Sequence, residues 1–193
     1  MKELYKRQAN HQPLTPLSFI SRSAEVYAKR DAIVYGKRHI NYKEFYENIK
    51  RLASALVNSG VKGGDTVSIL APNIPAFLDA SFAVPMTGAV LNALNIRLDS
   101  RAIAFILDHG ECDVLLTDTG FAATVKEALQ ISKRNPLVID IQDIHFGQRE
   151  RLGAVEYEQF ISSGDPNFSW EMPDDEWDSL ALNYTSGTTG NPK

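Results

Sequence analysis

Cysteine, basic charge and long apolar runs are all scarce in this sequence. Cys112 is the single cysteine among 193 residues, so an internal disulfide is impossible and a reducing compartment is indicated. No apolar run approaches the length of a membrane span. The formal net charge of −4 gives no basic field for nucleic acid or anionic lipid. The composition therefore predicts a soluble globular protein with no membrane span and no nucleic-acid partner, and its 44% of hydrophobic residues suffices for a sizeable core.

Several familiar binding and catalytic motifs are also missing. The sequence contains no Walker A loop, no G-x-G-x-x-G fingerprint of dinucleotide-binding domains and no G-x-S-x-G elbow of an esterase. The histidines have no second ligand at helical or loop spacing and do not predict a metal site: His11, His39, His109 and His145. The acidic run at 174–178 is interrupted by Trp177 and has no glycine to bend it, which favours a solvated turn over a metal loop.

The surroundings of Cys112 indicate its reactivity, and the N-terminus indicates which targeting signals are absent. Cys112 lies between Glu111 and Asp113, whose carboxylates disfavour a thiolate, so we interpret it as a structural thiol. The N-terminus is charged and has no apolar h-region, so we expect no secretory signal, and Glu3 weakens any case for a mitochondrial presequence. A peroxisomal address would lie at a C-terminus beyond this sequence, which leaves localisation open between the cytoplasm and the peroxisome.

Strand and helix patterns alternate along the chain. Two strands flank Gly36-Lys37 as a hairpin, and Asn41 begins a helix with Glu44 placed for a capping box. That helix ends at Gly60 and has an apolar face at helical spacing: Phe45, Ile49, Leu52, Ala53 and Leu56.

Later segments continue this alternation. Strands are predicted at 66–70, 89–94, 114–117, 137–141 and 179–184, and helices at 74–84, from Asp99 or Ser100 to 108, and at 121–133. The pattern predicts an α/β fold with a mostly parallel sheet and helices on both faces. Residues 140–156 are polar and are predicted to form an irregular surface excursion.

The most informative segment is 184–193, Tyr-Thr-Ser-Gly-Thr-Thr-Gly-Asn-Pro-Lys. Four of the five residues at 185–189 carry a hydroxyl group, and two glycines let the backbone approach a ligand closely. Backbone N–H groups, hydroxyl donors and a lysine cation together are what a triphosphate needs. The strand predicted before the segment places it at a strand end, where α/β folds bind ligands. Composition alone also fits a flexible Ser/Thr/Gly linker.

The order of these residues resembles the signature Tyr-Thr-Ser-Gly-Thr-Thr-Gly-x-Pro-Lys of the adenylate-forming superfamily, which includes acyl-CoA synthetases, adenylation domains of peptide synthetases and luciferases. Residues 14–19, 82–98 and 174–178 are similar to the plant-type acyl-activating enzymes of that superfamily. The resemblance runs from Leu14 to Lys193. It implies a lead-in at 1–13, and at 14–193 the N-terminal portion of the large AMP-binding domain of a longer enzyme, stopping inside the phosphate loop.

The resemblance also implies an activity. Enzymes of this superfamily use ATP and Mg²⁺ to convert a carboxylic acid to an acyl-adenylate, and coenzyme A then forms the thioester. The loop holds the phosphates of ATP in the family, and its positions carry over to Thr185, Ser186, Gly187, Thr188, Thr189, Gly190 and Lys193. The family's adenine pocket, acyl pocket and catalytic lysine lie downstream, so no catalytic residue is assigned. We interpret residues 92–97 as a packing element, although Arg97 has the charge to approach a phosphate.

Three interpretations of function stay open at this point. The first is an ATP-dependent acid–thiol ligase that uses coenzyme A. The second is an adenylating enzyme with a carrier-protein thiol or another acceptor. The third is a non-catalytic fragment that binds nucleotide or contacts a partner. For the 193 residues alone we expect no ligase activity, weak ATP binding and a tendency to associate through an unpaired sheet edge.

Overall fold

Helices and strands alternate along the chain. The computed structural model describes residues 5, 7, 9–143, 145 and 149–185. The helices within this part are α1 (Leu17–Val26), α2 (Tyr42–Asn58), α3 (Pro75–Met86), α4 (Ser100–His109), α5 (Ala122–Ile131) and α6 (Tyr157–Ser162). The strands are β1 (Asp31–Tyr35), β2 (Arg38–Asn41), β3 (Thr66–Leu70), β4 (Val90–Ala93), β5 (Cys112–Asp118), β6 (Leu137–Ile141), β7 (Val155–Glu156) and β8 (Ala181–Leu182).

Six of these strands form one parallel sheet in the order β7-β6-β5-β3-β4-β8, and β1 and β2 form a separate antiparallel hairpin. From β3 the chain moves in one direction to β4, then returns past β3 to β5 and continues outward to β6 and β7. Because parallel crossovers are right-handed, these opposite directions place the connecting helices on opposite faces. One apolar cluster accordingly joins α1, α2, α3 and α6 to the sheet, and a second joins α4 and α5. The predicted α/β fold is confirmed.

Helix α2 begins and ends where its local sequence predicts. Asn41 Oδ1 accepts the Glu44 N–H at 3.0 Å, and the Glu44 carboxylate accepts the Asn41 N–H at 3.1 Å, which completes the capping box. All five residues of the predicted apolar face are buried. After the helix, Gly60 has a φ of 103°, a left-handed conformation that favours glycine.

At α4 the structure decides between the two predicted N-caps. Asp99 is the cap, because its Oδ1 accepts the N–H of Ala102 at 2.8 Å, while Ser100 is the first helical residue. Gly110 lies at the C-terminal cap.

Three predicted elements are shorter in the structure, among them the strand predicted at 89–94, which is reduced to β4. The helix predicted at 121–133 is reduced to α5, because Asp118 caps a separate 3-10 turn at Thr119–Phe121 and the Asp108 carboxylate accepts the N–H groups of Lys133 and Arg134. The strand predicted at 179–184 pairs only over Ala181–Leu182, since β8 lies at the edge of the described sheet beside β4.

The interpretation of residues 140–156 as an irregular surface excursion is partly wrong. Asp140 is fully buried in β6, and its carboxylate accepts the N–H groups of Leu152 and Gly153 at 3.1 and 2.8 Å. The other end of the segment forms β7, which pairs with β6. Neither α1 nor α6 was predicted, and six-residue α6 is too short for a helical period to stand out.

No helix within the described ranges is both long enough and apolar enough to cross a bilayer.

Candidate functional site

The carboxyl ends of β4 and β8 lie side by side, and the predicted loop follows β8 in the sequence. The two strands are parallel, with Leu91 opposite Ala181 and Asn92 opposite Leu182. The chain therefore leaves β8 beside the segment that follows β4. In open α/β sheets, ligands bind beside the carboxyl ends of the strands.

Tyr184 fixes the point at which the chain leaves β8. Its hydroxyl lies 2.7 Å from Nδ1 of His109, the last residue of α4, and the two rings meet edge to face with centroids 5.8 Å apart. The Tyr184 ring also packs against the apolar cluster that joins α4 and α5. Burial raises the pKa of the Tyr184 hydroxyl above its ordinary value, so this group stays protonated at neutral pH.

Gly110 permits the close approach between α4 and β8. A Cβ at this position would lie 3.2 Å from Leu182 Cδ2, 3.3 Å from the Tyr184 hydroxyl and 2.9 Å from the Ile106 carbonyl oxygen. A side chain here would push Tyr184 away from the helix. The small residue next to His109 is therefore part of the same arrangement.

Most of the predicted nucleotide-binding residues lie outside the described part of the chain. Thr185 is the last described residue and is exposed at the exit from β8. The others fall beyond it: Ser186, Gly187, Thr188, Thr189, Gly190 and Lys193. Their assignment to phosphate binding stays a prediction.

Residues 92–97 divide into a buried part and an exposed part. Asn92 is fully buried in β4, and its Nδ2 donates to Ser68 Oγ of β3 at 3.2 Å, which agrees with the packing role expected for this segment. Arg97 is exposed beyond β4, and its N–H donates to Asn95 Oδ1 at 3.0 Å. Arg97 thus lies beyond the strand that neighbours β8, and its approach to a phosphate stays a prediction.

The structural interpretations of Cys112 and the acidic run are confirmed. Cys112 is 1% exposed, its thiol donates to the Val114 carbonyl at 3.2 Å, and burial raises the pKa of the thiol to about 11. A thiol held protonated in this way is a poor nucleophile.

In the acidic run at 174–178, Asp175 accepts the N–H of Trp177 at 3.0 Å, and the Trp177 side chain is 88% exposed. Across the described ranges no cluster of three or more His, Cys, Asp or Glu side chains is placed to hold a metal ion.

One groove in the described part of the molecule lies away from the carboxyl ends of β4 and β8. It has a volume of about 890 Å³ and is lined by Met86, Val90, Trp170 and Leu180, among other residues. Ala89 precedes β4 and Val90 begins it, so this groove opens near the amino end of the strand. We therefore do not assign it to the predicted nucleotide site.

Asp79 is a buried ionisable group that the sequence analysis missed. It is 4% exposed within α3, its Oδ2 accepts the Tyr157 hydroxyl at 2.9 Å, and its Oδ1 has no hydrogen-bond partner among the described residues. A cavity of about 70 Å³ beside the pair is lined also by Arg38 and Glu158. The available signal was a single charged residue in a helix whose other residues, except Ser81, are apolar.

Comparison with known proteins identifies the family. Residues 20–193 match the profile of the family described as AMP-binding enzyme, which is most of the chain. The chain belongs to this family.

Curated members of the AMP-binding family resemble the chain along its whole length. It is 44% identical to the peroxisomal acetate/butyrate–CoA ligase AAE7 of Arabidopsis thaliana, over 99% of this chain and 36% of the relative. It is 42% identical to the peroxisomal trans-cinnamate:CoA ligase of Petunia hybrida, over 100% of this chain and 36% of the relative. The chain thus spans little more than one third of the length of these relatives.

A solved CoA ligase structure shares the fold. The anthranilate CoA ligase AuaEII, solved in complex with anthranoyl-AMP, superposes with a TM-score of 0.86 at 20% identity, covering 98% of this chain and 35% of that protein. At this identity the likeness establishes the fold alone. The sheet and its flanking helices are therefore shared with about one third of that CoA ligase.

Proposed function

We propose that the protein is an AMP-forming acid–thiol ligase and that this chain supplies its phosphate-binding loop. The observation that carries the proposal is the position of the motif, which begins at Tyr184, where the chain leaves the carboxyl end of β8. Membership of the AMP-binding family supports the same reading. On this proposal residues 1–13 are a lead-in, and residues 14–193 are the N-terminal portion of the adenylate-forming domain.

The chemistry that the loop would assist has two steps. A carboxylate oxygen attacks the α-phosphorus of ATP, the bond to the bridging oxygen breaks, and pyrophosphate leaves with the electron pair. The thiol of coenzyme A then attacks the acyl carbonyl, loses its proton, and displaces AMP to form the thioester. The first step moves negative charge onto pyrophosphate, which donors positioned around the β- and γ-phosphates stabilise.

Each type of loop residue has a role in the first step. The hydroxyl groups of Thr185, Ser186, Thr188 and Thr189 donate hydrogen bonds to phosphate oxygens. Gly187 and Gly190 let backbone N–H groups approach the phosphates closely, and Lys193 supplies a positive charge. Mg²⁺ bound to the triphosphate supplies further positive charge.

Relatives suggest the class of acyl donor and the compartment. Two of the curated relatives are named for acetate, butyrate or trans-cinnamate as acid and CoA as acceptor, and both are named as peroxisomal. We propose a small or medium carboxylic acid as substrate, coenzyme A as acceptor, and a peroxisomal or cytoplasmic location. Imaging the full-length protein with a fluorescent tag at its N-terminus would separate the two compartments.

The test is a substrate screen of the full-length protein. Acetate, butyrate, hexanoate, benzoate and cinnamate are each incubated with ATP, Mg²⁺ and coenzyme A, and AMP, pyrophosphate and thioester are measured. We expect acid-dependent release of AMP and pyrophosphate in equal amounts, with an acyl-CoA as product. If the enzyme acylates a carrier-protein thiol and not coenzyme A, the carrier protein is the acceptor instead. Absence of acid-dependent pyrophosphate release with every acid would overturn the proposal.

A further inference from the structure

We infer that His109 is a positioning residue for the phosphate loop and acts by holding Tyr184 at the point where the loop leaves the sheet. The inference rests on the proposed function, because it assigns His109 a role in the ATP step of that reaction. His109 itself lies in α4, far from the loop in sequence, and needs no contact with the nucleotide. Its effect passes through one side chain.

The short pairing of β8 makes such a support necessary. Strand β8 pairs with β4 through Ala181 and Leu182, after which the ladder ends. Tyr184 follows two residues later, and its side chain reaches back to α4, where the hydroxyl meets His109 Nδ1 at 2.7 Å. Thr185, the first residue of the loop, is joined to Tyr184 directly. The orientation of the Tyr184 side chain therefore sets the direction in which the loop begins.

His109 is well suited to hold the tyrosine because its own ring is fixed. It stacks on Phe105, one turn earlier in α4, with ring centroids 5.4 Å apart and planes 19° from parallel. Helix α4 is in turn anchored by buried apolar residues, among them Ile103, Ile106 and Leu107. The rings of Phe105, His109 and Tyr184 thus form a row that leads from α4 to the start of the loop.

Because His109 is exposed, its effect on the position of the loop can be measured apart from any effect on the stability of the fold. His109 is exposed, and Tyr184 is only partly buried, so neither side chain contributes a large part of the hydrophobic core. Replacing the imidazole nitrogens should therefore change the melting temperature little. A misplaced loop, in contrast, loses alignment with the phosphates, and small displacements of catalytic groups reduce rates strongly.

The test uses three variants of the full-length enzyme. His109→Phe retains a ring to stack on Phe105 but removes both nitrogens, Tyr184→Phe removes only the hydroxyl, and the double variant removes both partners. Because a hydrogen bond of this kind contributes on the order of 1 kcal/mol, we expect each single variant to lower kcat/KM for ATP by about 5-fold in pyrophosphate exchange. The KM for the carboxylic acid should stay within about 2-fold, and the double variant should be no worse than the singles, since they remove one shared interaction.

Two further variants sharpen the result. His109→Asn retains a side-chain amide that can hydrogen-bond to Tyr184, and it should recover part of the lost activity. Tyr46→Phe is the matched control, because Tyr46 accepts a 2.8 Å hydrogen bond from Trp170 Nε1 across a similarly long stretch of sequence. It makes the same chemical change without touching the loop's support, so its exchange rate should match that of the unmodified enzyme.

The outcomes are distinguishable from failure of the proposed function. If the unmodified enzyme shows no pyrophosphate exchange with any acid, the function itself is wrong. If it exchanges pyrophosphate while His109→Phe and Tyr184→Phe stay within about 2-fold of it, or if their effects multiply in the double variant, the positioning role of His109 is overturned. Equal loss of activity in Tyr46→Phe would also overturn it, because the effect would then report general loosening of the fold.

Discussion

The hydroxyl of Tyr157 donates a 2.9 Å hydrogen bond to Oδ2 of Asp79, and both side chains are buried where α6 meets α3. Burial raises the pKa of Asp79 to about 7, against the smaller opposing effect of the Tyr157 hydrogen bond. Glu158 raises this pKa further and Arg38 lowers it. The fold therefore buries a carboxyl group that holds its proton up to neutral pH.

Because of this carboxyl group, we expect the free energy of unfolding to depend on pH. The pKa of Asp79 rises from 3.8, its ordinary value, to about 7 in the folded protein, so the folded state binds the extra proton between these values. The stability that this group contributes is fully present below about pH 4 and is lost as the pH rises through about 7. The loss should be on the order of a few kcal/mol.

Denaturant unfolding of the chain at pH 5 and pH 8 measures this effect. Asp79→Asn should reduce the difference between the two pH values and should be more stable than the unmodified chain at pH 8. Glu127→Gln is the matched control, since Glu127 is exposed on α5 and its replacement should leave the difference unchanged. Parallel pH dependence in the Asp79→Asn and unmodified chains would show that Asp79 does not titrate in this way.

A second prediction concerns Gly164, which follows α6. A Cβ at Gly164 would overlap the backbone carbonyl of Arg51 in α2, and the Arg51 guanidinium donates to the Gly164 carbonyl at 3.1 Å. Since backbone cannot move aside as a side chain can, Gly164→Ala should destabilise the fold by about 1–3 kcal/mol. At Gly63 the nearest atom to a Cβ is the Gly88 carbonyl oxygen at 3.8 Å, so Gly63→Ala should be tolerated. Equal melting temperatures for the two variants would contradict this packing.

A third prediction tests the capping box of α2. Asn41→Ala removes the acceptor for the Glu44 N–H and should lower stability by about 1 kcal/mol, which a shift of the denaturant midpoint would report. Asn41→Asp retains an acceptor oxygen at the same place and should recover most of the loss. If Asn41→Asp were as unstable as Asn41→Ala, the side-chain cap would not be the cause.

The range of each interaction along the sequence explains what could be predicted. The capping box joins residues three positions apart, so its residue types and spacing can be read directly. The hydrogen bond from the Gly153 N–H to the Asp140 carboxylate joins residues 13 positions apart. The polar segment between them has the composition of a surface loop, so the sequence did not indicate this contact. His109 and Tyr184 are 75 residues apart, and nothing in the local sequence of either indicates the other. Such pairs follow from strand order, which sequence patterns alone do not specify.

For the candidate site, the sequence predicted the loop motif and the strand before it, but not the contact that supports Tyr184. The loop motif identified the family, and the strand before it was expected, although the ladder at β8 is shorter than the predicted span. Strand length at an edge depends on the neighbouring strand, so local β propensity overestimates it. The support behind Tyr184 was not predicted, because His109 was considered only as a metal ligand. Contacts of the loop with phosphate stay a prediction from the motif.

The last prediction concerns Thr188 within the loop. In the full-length enzyme Thr188→Ala should slow adenylate formation more than it weakens binding of the carboxylic acid, because the lost donor acts on phosphate. Removal of one such donor typically lowers the rate by about 10²–10³. Thr188→Ser is the matched variant, since it retains the hydroxyl and loses only a methyl group. Pyrophosphate exchange at saturating acid therefore separates the effect of the hydroxyl donor from that of side-chain volume. Equal rates for Thr188→Ala and the unmodified enzyme would remove Thr188 from the phosphate site. Equal losses of rate in Thr188→Ala and Thr188→Ser would assign the effect to packing instead.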